Sequence, residues 1–222
     1  MHLENESPLV KKTAAFVKDV LLVAEGGHDW QHIQRVVQNA QQIATKEACN
    51  MEIVLLGALL HDIADSKFHG GDEGKGPAIT GSFLDRAEAP PQVTEHVVQI
   101  IRNVSYSGGI TRDFYSIELA IVQDADRLDA LGAIGIARAF NYGGFKNRLI
   151  FDPAVPPVKY SDKEAYKNNT APTINHFYEK LLLLKDGMHT ETAKAMAKQR
   201  HMFMETFLEQ FFNEVGSPAF SI

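Results

Sequence analysis

Cysteine is nearly absent: Cys49 is the only one in 222 residues. No internal disulfide can form, so the chain is not a disulfide-stapled secreted scaffold and its usage fits a reducing compartment. Long apolar runs are also missing. The longest, Ile53 to Leu60, falls far short of the roughly 20 residues needed to cross a bilayer. The opening MHLENESPLVKK carries acids and no apolar leader core, so a cytoplasmic location is expected. Positive charge is not in excess: 22 Lys and Arg face 28 Asp and Glu, a net charge of −6. Such a surface repels phosphate backbones, so no nucleic-acid polymer and no membrane is expected as a partner. Strand-like alternation of polar and apolar residues does not persist anywhere along the chain.

What is present is ordinary globular composition, 45% hydrophobic and 23% charged. A chain of this length buries about 70% of its unfolded surface, enough for a core without staples. The periodicity is helical nearly throughout. Ser7-Pro8 reads as a cap and first-turn proline for a helix over 8–25, stopped by Gly26-Gly27. Asp29 reads as the cap of a second helix over 30–47. A third, over 51–64, is apolar on nearly every face and belongs at the centre of the fold. Residues 66–76 form a glycine-rich loop, and helices follow over 77–87 and 91–104. Gly108-Gly109 marks a turn, and one long helix is expected over 115–141. From 143 to 171 the period is lost among prolines and asparagines, and two helices, 173–185 and 190–215, close the chain. The expectation is a single all-α domain over 1–222, a helical bundle with an irregular loop insertion near 143–171.

Three places put polar chemistry on apolar faces. His61-Asp62 ends the most apolar helix, where a charged pair is costly unless partnered. His32 stands in the first turn of the second helix and shares a face with Val36, Ala40 and Ile43, with Arg35 bordering it. In Gln123-Asp124-Ala125-Asp126-Arg127-Leu128-Asp129 three carboxylates interrupt a long apolar helix. Asp126 borders the apolar side, whereas Asp124 and Asp129 read equally well as an exposed acidic patch paired with Arg127. Taken singly, each has a plain structural reading: a helix C-terminus, a core histidine, a solvated acidic face. Taken together, two imidazoles and two carboxylates on three helices make a mixed N/O donor set. Such a set suits Mn²⁺, Fe²⁺, Co²⁺ or Ni²⁺, then Zn²⁺, with Mg²⁺ less favoured by two nitrogens. Four protein ligands on a six-coordinate ion leave positions for a water and a substrate oxygen.

The ordered set His32, His61-Asp62 and Asp126 resembles the HD-domain phosphohydrolase superfamily. The strings HDWQHIQRV, LLGALLHDIAD, KFHGGDE, QDADRLDALGAIGIARAF and TINHFYEKLLLLKD resemble its YedJ/YpgQ-like branch, over about residues 20–215. The resemblance implies an all-α fold, one divalent transition metal (Mn²⁺ first) and hydrolysis of phosphoester or phosphoanhydride bonds in small nucleotides. It implies His32, His61, Asp62 and Asp126 as metal ligands. Asp126 is preferred over Asp124 because the family's ligand precedes an Arg-Leu pair. Asp65, three residues after the HD aspartate, matches a position that in related enzymes orients or deprotonates the attacking water, and Lys67 joins it as a catalytic candidate.

For the substrate, phosphate needs cations or backbone N–H donors. Arg35 is the first candidate, beside the metal ligands in sequence. Asp72, in Gly70-Gly71-Asp72, and His176 with Lys180, one helical turn apart in the C-terminal string, are the others. Lys75, Lys146, Arg148 and Lys185 complete the cationic set. The chain departs from two-metal members of the superfamily. Between the HD pair and Asp126 stand only His69 and His96, and Ile100–Ser105 has no histidine where one is expected. A one-metal site follows, with His96 read as a helix-surface residue. Hydrolysis of a nucleoside triphosphate to monophosphate and pyrophosphate is the leading expectation. A phosphodiesterase or 5′-nucleotidase is the enzymatic alternative, and a nucleotide-binding regulatory domain the non-enzymatic one. A homodimer is compatible with the sequence.

Overall fold

The computed structural model describes residues 5–21, 29–63, 74–104, 114–159 and 169–220, all of them in helices, turns or irregular chain with no strand. They divide into two compact units, residues 1–126 and 127–222. The boundary falls within one helix.

The first unit is aliphatic. Helix α1 (Pro8–Val20) starts at the Ser7 cap, whose Oγ accepts from the Val10 N–H, with Pro8 in the first turn. It ends at Val20 rather than continuing to residue 25. Helix α2 (Trp30–Ala44) is capped by Asp29, which accepts from the His32 N–H at 2.8 Å. Helix α3 (Met51–Leu60) is capped by Asn50, and every residue from Ile53 to Leu60 is buried. Burying each large aliphatic side chain contributes about 1.5–3 kcal/mol, which holds this short helix at the centre. Helices α4 (Lys75–Arg86) and α5 (Pro91–Val104) pack on each other, and α3 packs on α1, α2 and α5. Helix α6 (Ile117–Asp129) passes beside α3 at Gly57. A Cβ there would lie 3.1 Å from Val122 Cγ2 and 3.2 Å from Ile100 Cγ2, so only glycine admits this approach without displacement.

The second unit begins with the end of α6. The single helix expected over 115–141 is two helices. Leu131 is extended (φ −115°, ψ 160°) and Gly132 has φ +70°, which breaks the helix before α7 (Gly132–Phe145). A side chain at Gly132 would be strained and would meet Arg200 Cβ and Cγ at 3.2 Å. The helix expected over 173–185 is likewise interrupted. Helix α8 (Asn175–Glu179) stops at Lys180, with φ −146° and ψ −56°, and a 3₁₀ helix follows over Leu181–Gly187. The Thr190 cap opens the long α9 (Glu191–Val215).

Between α7 and α8 the described chain is irregular, as its sequence indicates. It is held by Thr173 N–H to Leu149 C=O (2.9 Å), Ile174 N–H to Ile150 C=O (3.0 Å) and Asn175 Nδ2 to Val155 C=O (2.9 Å). The core of this unit holds Leu131, Ile174, Leu181, Met204 and Leu208 with Phe177 and Phe212, and half-buried rings extend from it. Phe140, Phe177 and Phe207 pack together, and Phe151, Tyr178, Phe211, Phe212 and Phe220 form a continuation.

Candidate metal centre

Three helices of the first unit bring their polar residues to one point. His32, in the first turn of α2, is 1% exposed. His61 and Asp62 follow α3 in a turn, so the HD pair leaves the apolar helix where its axis ends. Asp126 lies in the last turn of α6. The Nε2 atoms of His32 and His61 are 3.2 Å apart. Asp62 Oδ2 stands 3.4 Å from His32 Nε2 and 3.6 Å from His61 Nε2. Asp126 Oδ1 stands 3.5 Å and 3.8 Å from the same two atoms.

These separations have the scale of a coordination sphere. Bond lengths of about 2.1 Å put neighbouring ligand atoms about 3 Å apart. The orientation of His61 fits as well. Its Nδ1 is 2.9 Å from the Ala58 carbonyl oxygen, which can only accept, so Nδ1 carries a hydrogen and Nε2 is the atom turned to the other donors. His32, His61 and Asp126 alone would serve as a three-residue metal site, and Asp62 adds a fourth oxygen to the same two nitrogens. The donor chemistry therefore fits a divalent transition ion. Exposure is graded across the site: the imidazoles are buried, the Asp62 side chain is 14% exposed and that of Asp126 45%, so the opening is on the carboxylate side.

The other sequence candidates have different surroundings. Arg35 is half-buried on α2, three residues after His32. Asp65, Lys67 and Asp72, with His69, the glycine-rich stretch 66–73, residues 22–25 and the Gly108-Gly109 turn, lie outside the described residues. His176 and Lys180 belong to the second unit. Because the helix ends between them, their spacing does not give them a common face, although the Lys180 N–H still donates to the His176 carbonyl at 3.1 Å. Burial, with the charges of Lys180 and Arg148 beside it, lowers the His176 pKa from 6.5 to about 3. This ring is neutral at neutral pH.

Two expectations are corrected. Asp124 and Asp129 are not an exposed acidic patch: they are 0% and 1% exposed. Asp129 is held by the Arg138 guanidinium, and Arg127 donates to the Gly187 carbonyl at 2.7 Å. His96 is not a plain surface residue. Its Nε2 lies 3.0 Å from Ser116 Oγ and 3.5 Å from Glu118 Oε2, and Glu118 Oε1 accepts the Asn50 N–H, so His96 helps join α5 to the start of α6. The sequence reading also passed over Asn39, a buried amide on the inward face of α2. Its signal was the polar residue within the face that His32, Val36, Ala40 and Ile43 define.

The chain resembles known proteins along most of its length. Residues 29–131, which include all four donors, match the HD domain family. Bacillus subtilis YpgQ is 34% identical over 202 residues, 90% of each chain. A Bacillus thuringiensis HD-superfamily hydrolase of known crystal structure is 43% identical with a TM-score of 0.75, over 94% of this chain and 97% of its own. A Lactobacillus plantarum crystal structure matches with a TM-score of 0.79 at 35% identity, over 94% and 97%. A crystal structure of YpgQ in complex with ADP matches at 33% identity and a TM-score of 0.72, over 93% and 94%. The chain belongs to the HD-domain family, in the branch that contains YpgQ. That membership supports a metal-dependent phosphohydrolase in general terms.

Proposed function

We propose that the protein hydrolyses nucleotides at a one-metal centre formed by His32, His61, Asp62 and Asp126, and that it converts a nucleoside triphosphate to the monophosphate and pyrophosphate. The observation that carries the proposal is the convergence of two imidazole Nε2 atoms and two carboxylate oxygens within 3.2–3.8 Å. These residues would hold a divalent ion, Mn²⁺ first, which would supply Lewis-acid chemistry toward a water and a phosphoryl oxygen.

The chain's own residues do the rest. Ala58 fixes the ring of His61 through its carbonyl, and the capping of the α2 N-terminus by Asp29 seats His32. Asp65, which follows the HD pair closely, is the group proposed to take the proton of the attacking water, with Lys67 beside it in sequence. Arg35 offers a planar fork to phosphate oxygens, and Asp72 a contact to the substrate. His176, neutral at working pH, offers a hydrogen bond without charge, while Lys180 offers charge.

Among the described residues one group of donors converges, and we read the centre as holding one ion, without a second to clamp the leaving oxygen. A leaving group stable in its own right is then favoured, and pyrophosphate is a better one than a nucleoside alkoxide. The relative YpgQ is known in complex with ADP, which supports a nucleotide as the ligand of this site.

The test is product analysis. The Mn²⁺-loaded protein is incubated with nucleoside triphosphates and monophosphates and the products are separated. Monophosphate with pyrophosphate is expected. Orthophosphate from monophosphates, with triphosphates untouched, would make it a 5′-nucleotidase. His61→Ala and Asp62→Ala should each lose bound metal and activity, and full metal occupancy in both would overturn the site. Arg35→Ala should keep the metal and raise KM about tenfold, the scale of one charge-assisted phosphate contact. Unchanged kinetics would make it a structural residue.

A further inference from the structure

Three helices must hold their ligands to within about 0.5 Å for a metal centre to work. Apolar packing alone is non-directional and does not set rotation or axial register to that tolerance. The first unit contains a directional contact at the needed place. Asn39 lies seven residues after His32 on α2, two turns along the same face. It is 6% exposed among Val36, Ala40 and Ile43, which are fully buried. Its Nδ2 donates to the backbone carbonyl of Ala125 at 3.1 Å.

Ala125 immediately precedes Asp126 on α6 and is itself 0% exposed. A carbonyl oxygen has two lone pairs, so it can take a side-chain amide in addition to the helical N–H. The bond therefore ties the helix that carries His32 to the residue before Asp126. A slip of one residue along α6 would rotate Asp126 by about 100° and carry Oδ1 away from His32 Nε2, now 3.5 Å distant. A buried amide on an apolar face is costly without a partner, and this partner is the one next to a ligand.

We propose that Asn39 is a positioning residue of the metal centre, fixing the register of α6 against α2 so that Asp126 and His32 converge. This rests on the reading of His32 and Asp126 as metal ligands. Asn39 touches neither ion nor substrate and acts through the Ala125 backbone.

The test measures Mn²⁺ affinity of the whole protein by the loss of free-ion electron paramagnetic resonance signal, alongside urea unfolding of the metal-free protein. Asn39→Leu keeps the branched shape and removes the donor; Asn39→Asp keeps the shape and turns an acceptor toward the carbonyl. Folded Asn39→Leu should bind Mn²⁺ about 10–100-fold more weakly, the range for groups that orient ligands. Asn39→Asp should bind it more weakly still. The loss should exceed whatever the shift in urea midpoint explains. Should Asn39→Leu not fold, Asn39→Asp decides alone. Mn²⁺ affinity within twofold of the parent in either folded variant overturns the proposal. His61→Ala in the same titration separates the two readings. If it loses Mn²⁺ while the Asn39 variants keep it, Asn39 is structural and the site stands; if it keeps Mn²⁺, the ligand assignment falls and the proposal with it.

Discussion

The two units solve different packing problems. In the first, Ile33, Val36, Val54, Leu55, Leu59, Ile100, Ile121 and Val122 are fully buried, and helices close to van der Waals contact across Gly57. In the second, Phe177 and Phe212 are buried with Ile174, Met204 and Leu208, and half-buried rings of Phe140, Phe207 and Phe211 pack along them. Branched aliphatic side chains with fixed rotamers position a backbone closely. The polar atoms that must agree to a fraction of an ångström are found in the aliphatic unit. A metal centre of four side chains from three helices needs backbones that close.

The largest break in that comparison separates charge at the centre from charge in the support. Asp126→Asn should weaken Mn²⁺ binding by more than about 100-fold, beyond the range for groups outside the coordination sphere, with little change in unfolding. Asp124→Asn should keep the metal and instead lose about 1–3 kcal/mol of stability, because the substituted group is fully buried. Equilibrium dialysis with metal analysis, paired with urea unfolding, reads both. Metal lost from Asp124→Asn and kept by Asp126→Asn would move the ligand to Asp124.

The next pair compares the two cores directly. Phe177 is 0% exposed, and Phe177→Ala should cost about 3–5 kcal/mol in denaturant unfolding while leaving Mn²⁺ affinity near the parent value. Gly57→Val forces methyls onto Val122 and Ile100 and should cost about 1–3 kcal/mol, less in stability, yet it should weaken Mn²⁺ binding. Equal effects on metal from both would show that close helix approach has no special bearing on the centre.

Much of this was legible because the signals were local. Ser7 and Asp29 read as caps, and each begins a helix. His32, His61, Asp62 and Asp126 were readable as polar residues on apolar faces, and their order added the family. What escaped depended on distant parts of the chain. The breaks at Leu131-Gly132 and Lys180 lie inside sequences that continue a helical period, and Gly132 is glycine because Arg200 crosses it. The burial of Asp124 and Asp129 also escaped, since the sequence 123–129 alone allows an exposed acidic patch; for Asp129 the partner is Arg138 on the next helix. The role of Asn39 needed Ala125, 86 residues away.

The smallest effect concerns the second unit and acts through pH. His176 titrates near 3 in the folded protein against 6.5 in an unfolded chain, because burial comes first and Lys180 and Arg148 add to it. Above pH 6.5 the ring is neutral in both states and contributes no pH dependence. As pH falls through 6.5 the unfolded chain takes up a proton that the folded one refuses, so stability is lost. The slope approaches about 1.4 kcal/mol per pH unit and ends near pH 3, where the folded ring is also protonated. Between pH 6 and 5 most carboxylates remain ionised in both states, so histidines dominate the slope there and the variant singles out His176. His176→Gln, which keeps a polar side chain and removes the titration, should flatten the unfolding free energy across that interval by about 1 kcal/mol. A parallel curve for the variant would mean that the ring is protonated in the folded state. The cations beside it would then be farther away than their effect on its titration requires.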